Sequence, residues 1–144
     1  MTTATTPSHQ SATAEDLTPR AITLIAWPDP VVDNAAGSIP TASDDALIWW
    51  TPTIGPTAAM MAHRFATYAA DGPSVWPLVD VAQTFGLGQA LARVTHTLDR
   101  LARFGIIARR GDTVAVRLML APLTAGQRVR LPGYLADAYP PQQP

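Results

Sequence analysis

The chain has 144 residues, a formal net charge of -1 and no cysteine. This length supports one domain with its own core, or a small domain with a tail. The lack of cysteine excludes disulfides, thiolate catalysis and zinc sites built from cysteine. All 10 basic residues are arginines, which suits a GC-rich bacterial genome at least as well as any function.

The charge is distributed unevenly along the chain. Residues 1–71 carry two arginines and seven acidic side chains, whereas residues 72–144 carry eight arginines and four acidic side chains. A local excess of positive charge favours contact with an anionic partner. The second half is therefore where we expect such a partner to bind.

Residues 1–20 contain mostly threonine, alanine, serine and proline, and hardly any large apolar side chain. Such a segment buries too little surface to offset the entropy of ordering it, so a disordered leader is predicted. The leader has no basic start followed by an apolar run, and no stretch reaches the roughly 18 apolar residues of a membrane helix. We therefore expect a cytoplasmic protein that makes no membrane contact.

Residues 21–55 are predicted to form an extended arm with short strands. Residues 21–27 are an apolar run closed by Pro28 and Pro30, which indicates a strand or an extended arm. Residues 31–45 are rich in turn-forming side chains and predict a loop or linker.

A second strand is expected at residues 46–51, which are β-prone and precede Pro52. In a strand the adjacent Trp49 and Trp50 point to opposite sides. One side of this strand is then covered by another element or by a second subunit.

A folded domain is predicted over residues 56–121, and it begins with a helix from Pro56 to about Ala70. Proline is tolerated in the first turn because its missing N–H would have no partner there. The helix is apolar on more than one side, so it is covered either by the N-terminal strand or by a second subunit. A homodimer through this helix and the N-terminal strand is the corresponding expectation.

Two further helices joined by a short turn are predicted next. Pro77 opens a helix that runs to about Phe85, and residues 86–88 form a glycine-containing turn of the kind that a helix-turn-helix uses. The following helix is expected over residues 88–104, with apolar and polar side chains on opposite faces. Its polar face carries Gln89, Arg93, His96, Arg100 and Arg103.

A β-hairpin is predicted after this helix. Residues 106–108 are apolar and extended, residues 109–112 form a charged turn, and residues 113–120 alternate between apolar and other side chains. Residues 122–144 are expected to form a C-terminal tail with a short helix that begins at Thr124.

Residues 94–118 resemble the recognition helix, glycine stop and wing of the winged helix-turn-helix superfamily, most of all regulators of the MarR type. In that family the recognition helix commonly ends in Leu-Asp-Arg-Leu before a glycine and a β-branched pair. Here these are residues 98–101, Gly105, Ile106 and Ile107.

The resemblance covers residues 56–120 and implies an α+β fold that is mainly α. The implied domain is a winged helix-turn-helix with a small antiparallel β-hairpin as its wing. MarR-type proteins add long dimerisation helices and a longer wing, and this sequence supplies neither. Their ligand sensing and dimer architecture are therefore not carried over.

The function implied by the resemblance is sequence-specific binding of double-stranded DNA by a transcriptional regulator. Helix 88–104 would lie in the major groove and the wing, residues 106–120, on the backbone. Arginine can bond guanine and glutamine can bond adenine through two hydrogen bonds each. Base edges are assigned to Gln89, Arg93, His96 and Thr97, phosphates to Arg100 and Arg103, and wing contacts to Arg109, Arg110 and Arg117.

Alternative interpretations stay open at this level. The arginine-rich face is either a DNA contact or a solvated surface that pairs with acidic side chains, and the same choice applies to His96 and Arg117. The alternative function is a winged-helix adaptor that binds proteins through the tryptophan strand and the first helix without contacting DNA.

Catalysis has little support in the sequence. The three histidines have no carboxylate or nucleophile at an interpretable spacing, and the glycines at 86 and 88 fit a turn rather than a phosphate-binding loop. We therefore expect no enzymatic activity, no metal site and no cofactor.

Overall fold

The computed structural model of the chain describes residues 20–140, so residues 1–19 of the predicted leader lie outside the described part. The fold is α+β, with about 50% helix and 20% strand, in agreement with the predicted class. Across residues 20–140, no helix combines the length and apolar character needed to cross a membrane.

The elements in chain order are β1 (Ala21–Trp27), α1 (Pro30–Asp33), β2 (Ile39–Pro40), α2 (Asp44–Ile54), α3 (Pro56–Ala70), β3 (Ser74–Pro77), α4 (Leu78–Thr84), α5 (Leu91–Arg103), β4 (Ile107–Arg110), β5 (Thr113–Arg117), β6 (Met119–Leu120), α6 (Ala125–Arg128) and α7 (Gly133–Ala138).

Strand β1 lies inside a four-stranded sheet with the order β3-β1-β5-β4. It pairs antiparallel with β3, where Ile22 faces Trp76, and parallel with β5, where Leu24 faces Val114. Ile22 and Leu24 alternate with less buried neighbours and point into the core. The predicted strand or arm is therefore a central strand: residues 23–24 pair on both edges, residues 21–22 pair with β3 alone, and residues 25–27 pair with β5 alone.

The prediction of a strand at residues 46–51 is wrong, because this segment belongs to helix α2. The Ser43 hydroxyl accepts a hydrogen bond of 3.2 Å from the Ala46 N–H and so caps the helix. Asp44 and Asp45 place two carboxylates in the first turn, at the positive end of the helix dipole. These start signals and the packing of the helix outweigh the β-propensity of the segment.

Trp49 and Trp50 are both buried, each with 6% of its surface exposed. On a helix, adjacent side chains are about 100° apart, so two neighbours can share a buried face. Trp49 packs edge-to-face on Tyr139, with 5.3 Å between ring centroids, and thereby holds the C-terminal segment against α2. The expectation that the two rings point to opposite sides is therefore wrong.

Helix α3 has the predicted bounds, and its cover comes from the same chain. It packs against β1, α2 and α5. Phe65 is 1% exposed and packs edge-to-face on Phe85 beyond the end of α4, with 5.7 Å between ring centroids. The surfaces proposed for a homodimer, α3 and β1, are thus largely occupied within the chain.

The turn between α4 and α5 is longer than predicted. Gly86 and Gly88 have positive φ angles of 71° and 62°, a conformation that glycine adopts without a steric penalty. The Leu87 N–H donates a hydrogen bond of 2.8 Å to the Ala82 carbonyl, which closes the end of α4. Helix α5 begins only at Leu91, so the prediction of a helix from residue 88 is wrong and Gln89 lies in the turn.

Strands β4 and β5 form the predicted antiparallel hairpin, closed by Gly111 and Asp112. Arg109 and Arg110 lie in β4 rather than in the turn. The second strand ends at Arg117 instead of residue 120, because β6 pairs with β2 in a separate two-stranded sheet. Beyond it, Thr124 caps α6 at the predicted start of the tail helix.

Candidate nucleic-acid interface

Helix α5 has one buried face and one exposed face. Val94, Leu98 and Leu101 are each 0% exposed, and they fix the rotation of the helix about its axis. Full burial of such a side chain contributes about 1.5–3 kcal/mol, counted against an extended chain. Because this face is held in the core, Arg103 points to solvent on the opposite side and Arg93 is exposed on the flank of the helix.

Three of the arginines predicted to contact DNA remain available to an external partner. Within residues 20–140, Arg93 and Arg103 on α5 and Arg110 on β4 are exposed and make no hydrogen bond or ion pair. His96 is also exposed on α5, and Gln89 is exposed in the turn before it. These five side chains are the predicted residues that remain free to contact an external molecule.

Arg100 links α5 to the end of α2. Its Nε donates a hydrogen bond of 2.7 Å to the Ile54 carbonyl, and its Nη2 donates one of 3.3 Å to the Thr53 carbonyl. The guanidinium also lies 5.5 Å from the ring centroid of Phe104. A phosphate contact was predicted for Arg100, but at least two of its donors are used within the chain.

Arg109 on β4 forms an ion pair with Asp99 on α5. The Asp99 side chain is 55% exposed, so the pair contributes only about 0–1 kcal/mol to stability. It nevertheless neutralises the edge of α5 that faces the hairpin. Arg109 was predicted as a wing contact and is partly screened from that role by Asp99.

Arg117 is engaged within the chain rather than facing water. Its Nε donates to the Gly105 carbonyl at 2.7 Å, and its Nη1 lies 2.7 Å from Asp29 Oδ2. The guanidinium stacks 3.8 Å from the ring centroid of Trp27. The hydrogen bond from Arg117 holds the pKa of Asp29 below its usual value. Arg117 therefore connects β5 to the end of β1 and to Gly105, which follows the end of α5.

Thr97 is turned toward the core and is 8% exposed. Its hydroxyl donates a hydrogen bond of 2.8 Å to the Arg93 carbonyl one turn earlier in α5. The predicted contact of Thr97 with a base edge therefore lacks a free hydroxyl donor. The residue closes one side of a groove next to α5 instead.

This groove, which we call the α5 groove, has a volume of about 610 Å³ and separates α5 from the junction of α2 and α3. One wall is residues 54–58, and the other carries Arg93, His96 and Arg100. Gly55 has a φ of 89°, which allows α3 to begin directly after α2. The junction thus stands beside the exposed face of α5.

Sequence reasoning missed this wall because it placed a strand at residues 46–51. Two signals point to the correct structure. Ser43 followed by Asp44 and Asp45 is a helix start, and Gly55 before Pro56 ends one helix and opens the next.

Comparison with protein-family models, with curated proteins and with solved structures finds no match for this chain. The geometry of α5, the hairpin and the α5 groove therefore provides the basis for a function. Successive residues of α5 are rotated by about 100° about the helix axis. Arg93 and Arg100 therefore lie on the side of the groove, and Asp99 lies on the side of the hairpin. His96 and Arg103 lie between these two sides.

Proposed function

We propose that this protein is a sequence-specific DNA-binding protein of the winged helix-turn-helix type that acts as a transcriptional regulator. Helix α5 enters the major groove, and the β4–β5 hairpin lies along the backbone. The observation that carries the proposal is the rotation of α5. It buries Val94, Leu98 and Leu101 and exposes Arg93 and Arg103, neither of which has a partner within residues 20–140.

The order of elements from α3 to β5 supports this proposal. A helix, a short strand, two helices joined by a glycine turn and an antiparallel hairpin follow one another between residues 56 and 117. Helices α4 and α5 pack together, and α5 also packs on α3. Such packing presents the outer face of the second helix of the pair to a partner.

The exposed side chains divide into two roles. Arg93, in the first turn of α5, is the best candidate for reading a base, since a guanidinium can donate two parallel hydrogen bonds to guanine. Gln89 precedes it in the turn and remains a candidate for adenine. Arg103 lies at the end of α5 and Arg110 lies on the hairpin. Both suit contacts with phosphates, which supply affinity and fix the position of the protein on the duplex.

The adaptor alternative has less support than DNA binding. It was built on Trp49, Trp50 and the apolar faces of the first helix, and both tryptophans are buried. Most of the apolar side chains of α3 are likewise buried inside this chain. DNA binding through α5 uses only side chains that are exposed.

Selection of bound duplexes from random DNA, followed by fluorescence anisotropy on the enriched sequences, tests the proposal. If Arg103 and Arg110 each meet one phosphate, affinity should fall about twelvefold between about 50 and about 200 mM salt. Arg93→Ala should weaken binding by about tenfold or more and relax preference at one base position.

A matched control is Arg130→Ala, which removes the same charge from an exposed arginine after α6. The control should bind the enriched duplex nearly as well as the wild type. Equal losses in the two variants, or binding that salt does not weaken, would contradict the proposed face. Recovery of no enriched sequence would contradict sequence-specific recognition.

A further inference from the structure

We infer that the α5 groove seats the sugar–phosphate backbone of one DNA strand, so that the α2–α3 junction is a second DNA contact beside α5. This inference rests on the proposed function and adds a surface to it. The junction lies before the segment that resembles a recognition helix and wing, and the sequence assigned no contact to it.

The chemistry of the walls fits a nucleic-acid backbone. Besides the base-reading Arg93, His96 and Arg100 line the groove from α5, and none of its described lining residues is acidic. The opposite wall includes the exposed Pro56, whose apolar ring can pack against deoxyribose. A groove with arginine side chains on one wall and an apolar ring on the other matches a backbone of alternating phosphates and sugars.

Arg100 shapes the electrostatics of the wall. The last carbonyls of a helix carry partial negative charge and would repel a phosphate. The Arg100 guanidinium donates hydrogen bonds to the Ile54 and Thr53 carbonyls and so covers this negative end of α2. The next residues begin α3, whose first turn has no side-chain cap. The wall therefore presents the positive end of a helix dipole together with the guanidinium.

Position favours a DNA strand over an isolated small anion. Arg93 and His96 belong both to the exposed face of α5 and to the groove. A duplex that receives α5 in its major groove brings a phosphate backbone along the side of the helix. In that arrangement the backbone would run along the α5 groove, so one duplex would occupy both surfaces.

Thr57→Glu tests the inference without a large risk to the fold. Thr57 lines the groove and is the second residue of α3, where a carboxylate is favourable to the helix. The new negative charge should repel the DNA backbone and raise the Kd for a labelled duplex by about tenfold. The neutral variant Thr57→Gln should change the Kd by less than about threefold.

Thr67→Glu is the matched control for net charge. Thr67 is exposed on the same helix, ten residues and about 15 Å of helix axis further on, and it does not line the groove. Its variant should bind DNA nearly as well as the wild type. Circular dichroism and thermal unfolding of all three variants establish that each is folded.

The possible results separate the groove from the proposed function. A loss in Thr57→Glu alone supports the inference. If Thr57→Glu binds DNA like the wild type while Arg93→Ala does not, the groove inference is overturned and the proposed function stands. If Thr57→Glu and Thr67→Glu lose affinity equally, the effect is one of net charge and the groove is again excluded. If the wild type binds no duplex, both proposals fail.

Discussion

The Nε of Arg100 donates a hydrogen bond of 2.7 Å to the carbonyl oxygen of Ile54, a residue 46 positions earlier in the chain. This contact joins the helix that presents the candidate DNA face to the end of α2. It also fixes the distance between the two walls of the α5 groove. Arg100, which the sequence analysis assigns to a phosphate contact, therefore holds the two walls of the groove together.

Arg100→Ala should lower the free energy of unfolding by about 1.5–3 kcal/mol, the range for hydrogen bonds made by a charged group. The loss arises because the Ile54 and Thr53 carbonyls lose their donor while remaining partly buried. Urea unfolding followed by circular dichroism measures it. Arg103→Ala is the control, and it should change stability by less than about 0.5 kcal/mol because Arg103 is exposed and unpaired within residues 20–140. Equal stability of the two variants would show that the Arg100 contact does not hold the helices together.

The ion pair between Asp29 and Arg117 should make stability depend on pH in the acid range. The pKa of Asp29 is lowered from 3.8, first by the hydrogen bond from Arg117. A lowered folded-state pKa contributes stability above the unfolded value, and this contribution is lost as the pH falls through the folded value. The stability difference between wild type and Asp29→Asn should therefore be full above about pH 4 and shrink below pH 3.8.

Urea unfolding of both proteins at neutral pH and at successively lower pH checks this prediction. Asp137→Asn serves as the control, since Asp137 is exposed on α7 and makes no ion pair among the described residues. A difference between wild type and Asp29→Asn that stays constant through the acid range would contradict it.

Gly88→Ala should destabilise the fold by about 1–2 kcal/mol, because its φ of 62° is a left-handed conformation that a Cβ disfavours. Among the described residues, no atom lies within 4 Å of a Cβ at this position, so the cost comes from the backbone alone. Gly126→Ala, at a helical glycine of α6 without a positive φ, should instead be neutral or stabilising by up to about 1 kcal/mol. Thermal unfolding of the two variants decides between them, and a similar loss in both would argue against the left-handed turn.

Asp99→Asn should strengthen DNA binding under the proposed function. The substitution removes the acidic side chain of α5 and releases Arg109, while the exposed pair contributes only about 0–1 kcal/mol to stability. One repulsive charge near the backbone corresponds to about 1 kcal/mol in water, so affinity should rise about fivefold. Anisotropy at low salt measures the change, with Asp137→Asn, exposed on α7, as the charge-matched control. An equal gain in the control would assign the effect to net charge.

Spacing and local start and stop signals predicted several elements correctly. Helix α3 has the predicted bounds, because Pro56 at the start and a turn at residues 71–73 are local features. The two faces of α5 follow from the 3.6-residue period, and the hairpin follows from alternation around Gly111 and Asp112. Each of these patterns is contained in a short stretch of chain, so the sequence alone determined them.

Only the tertiary structure decided which arginines remain available and where the N-terminal segment packs. Arg117 and Asp29 are 88 positions apart, and Arg100 and Ile54 are 46 apart, so no local pattern relates them. Residues 46–51 have strong β-propensity, yet Trp49 and Trp50 become buried together only on a helix packed against α3. Helical periodicity fixes which side chains share a face, whereas their partners depend on contacts that form when distant segments pack.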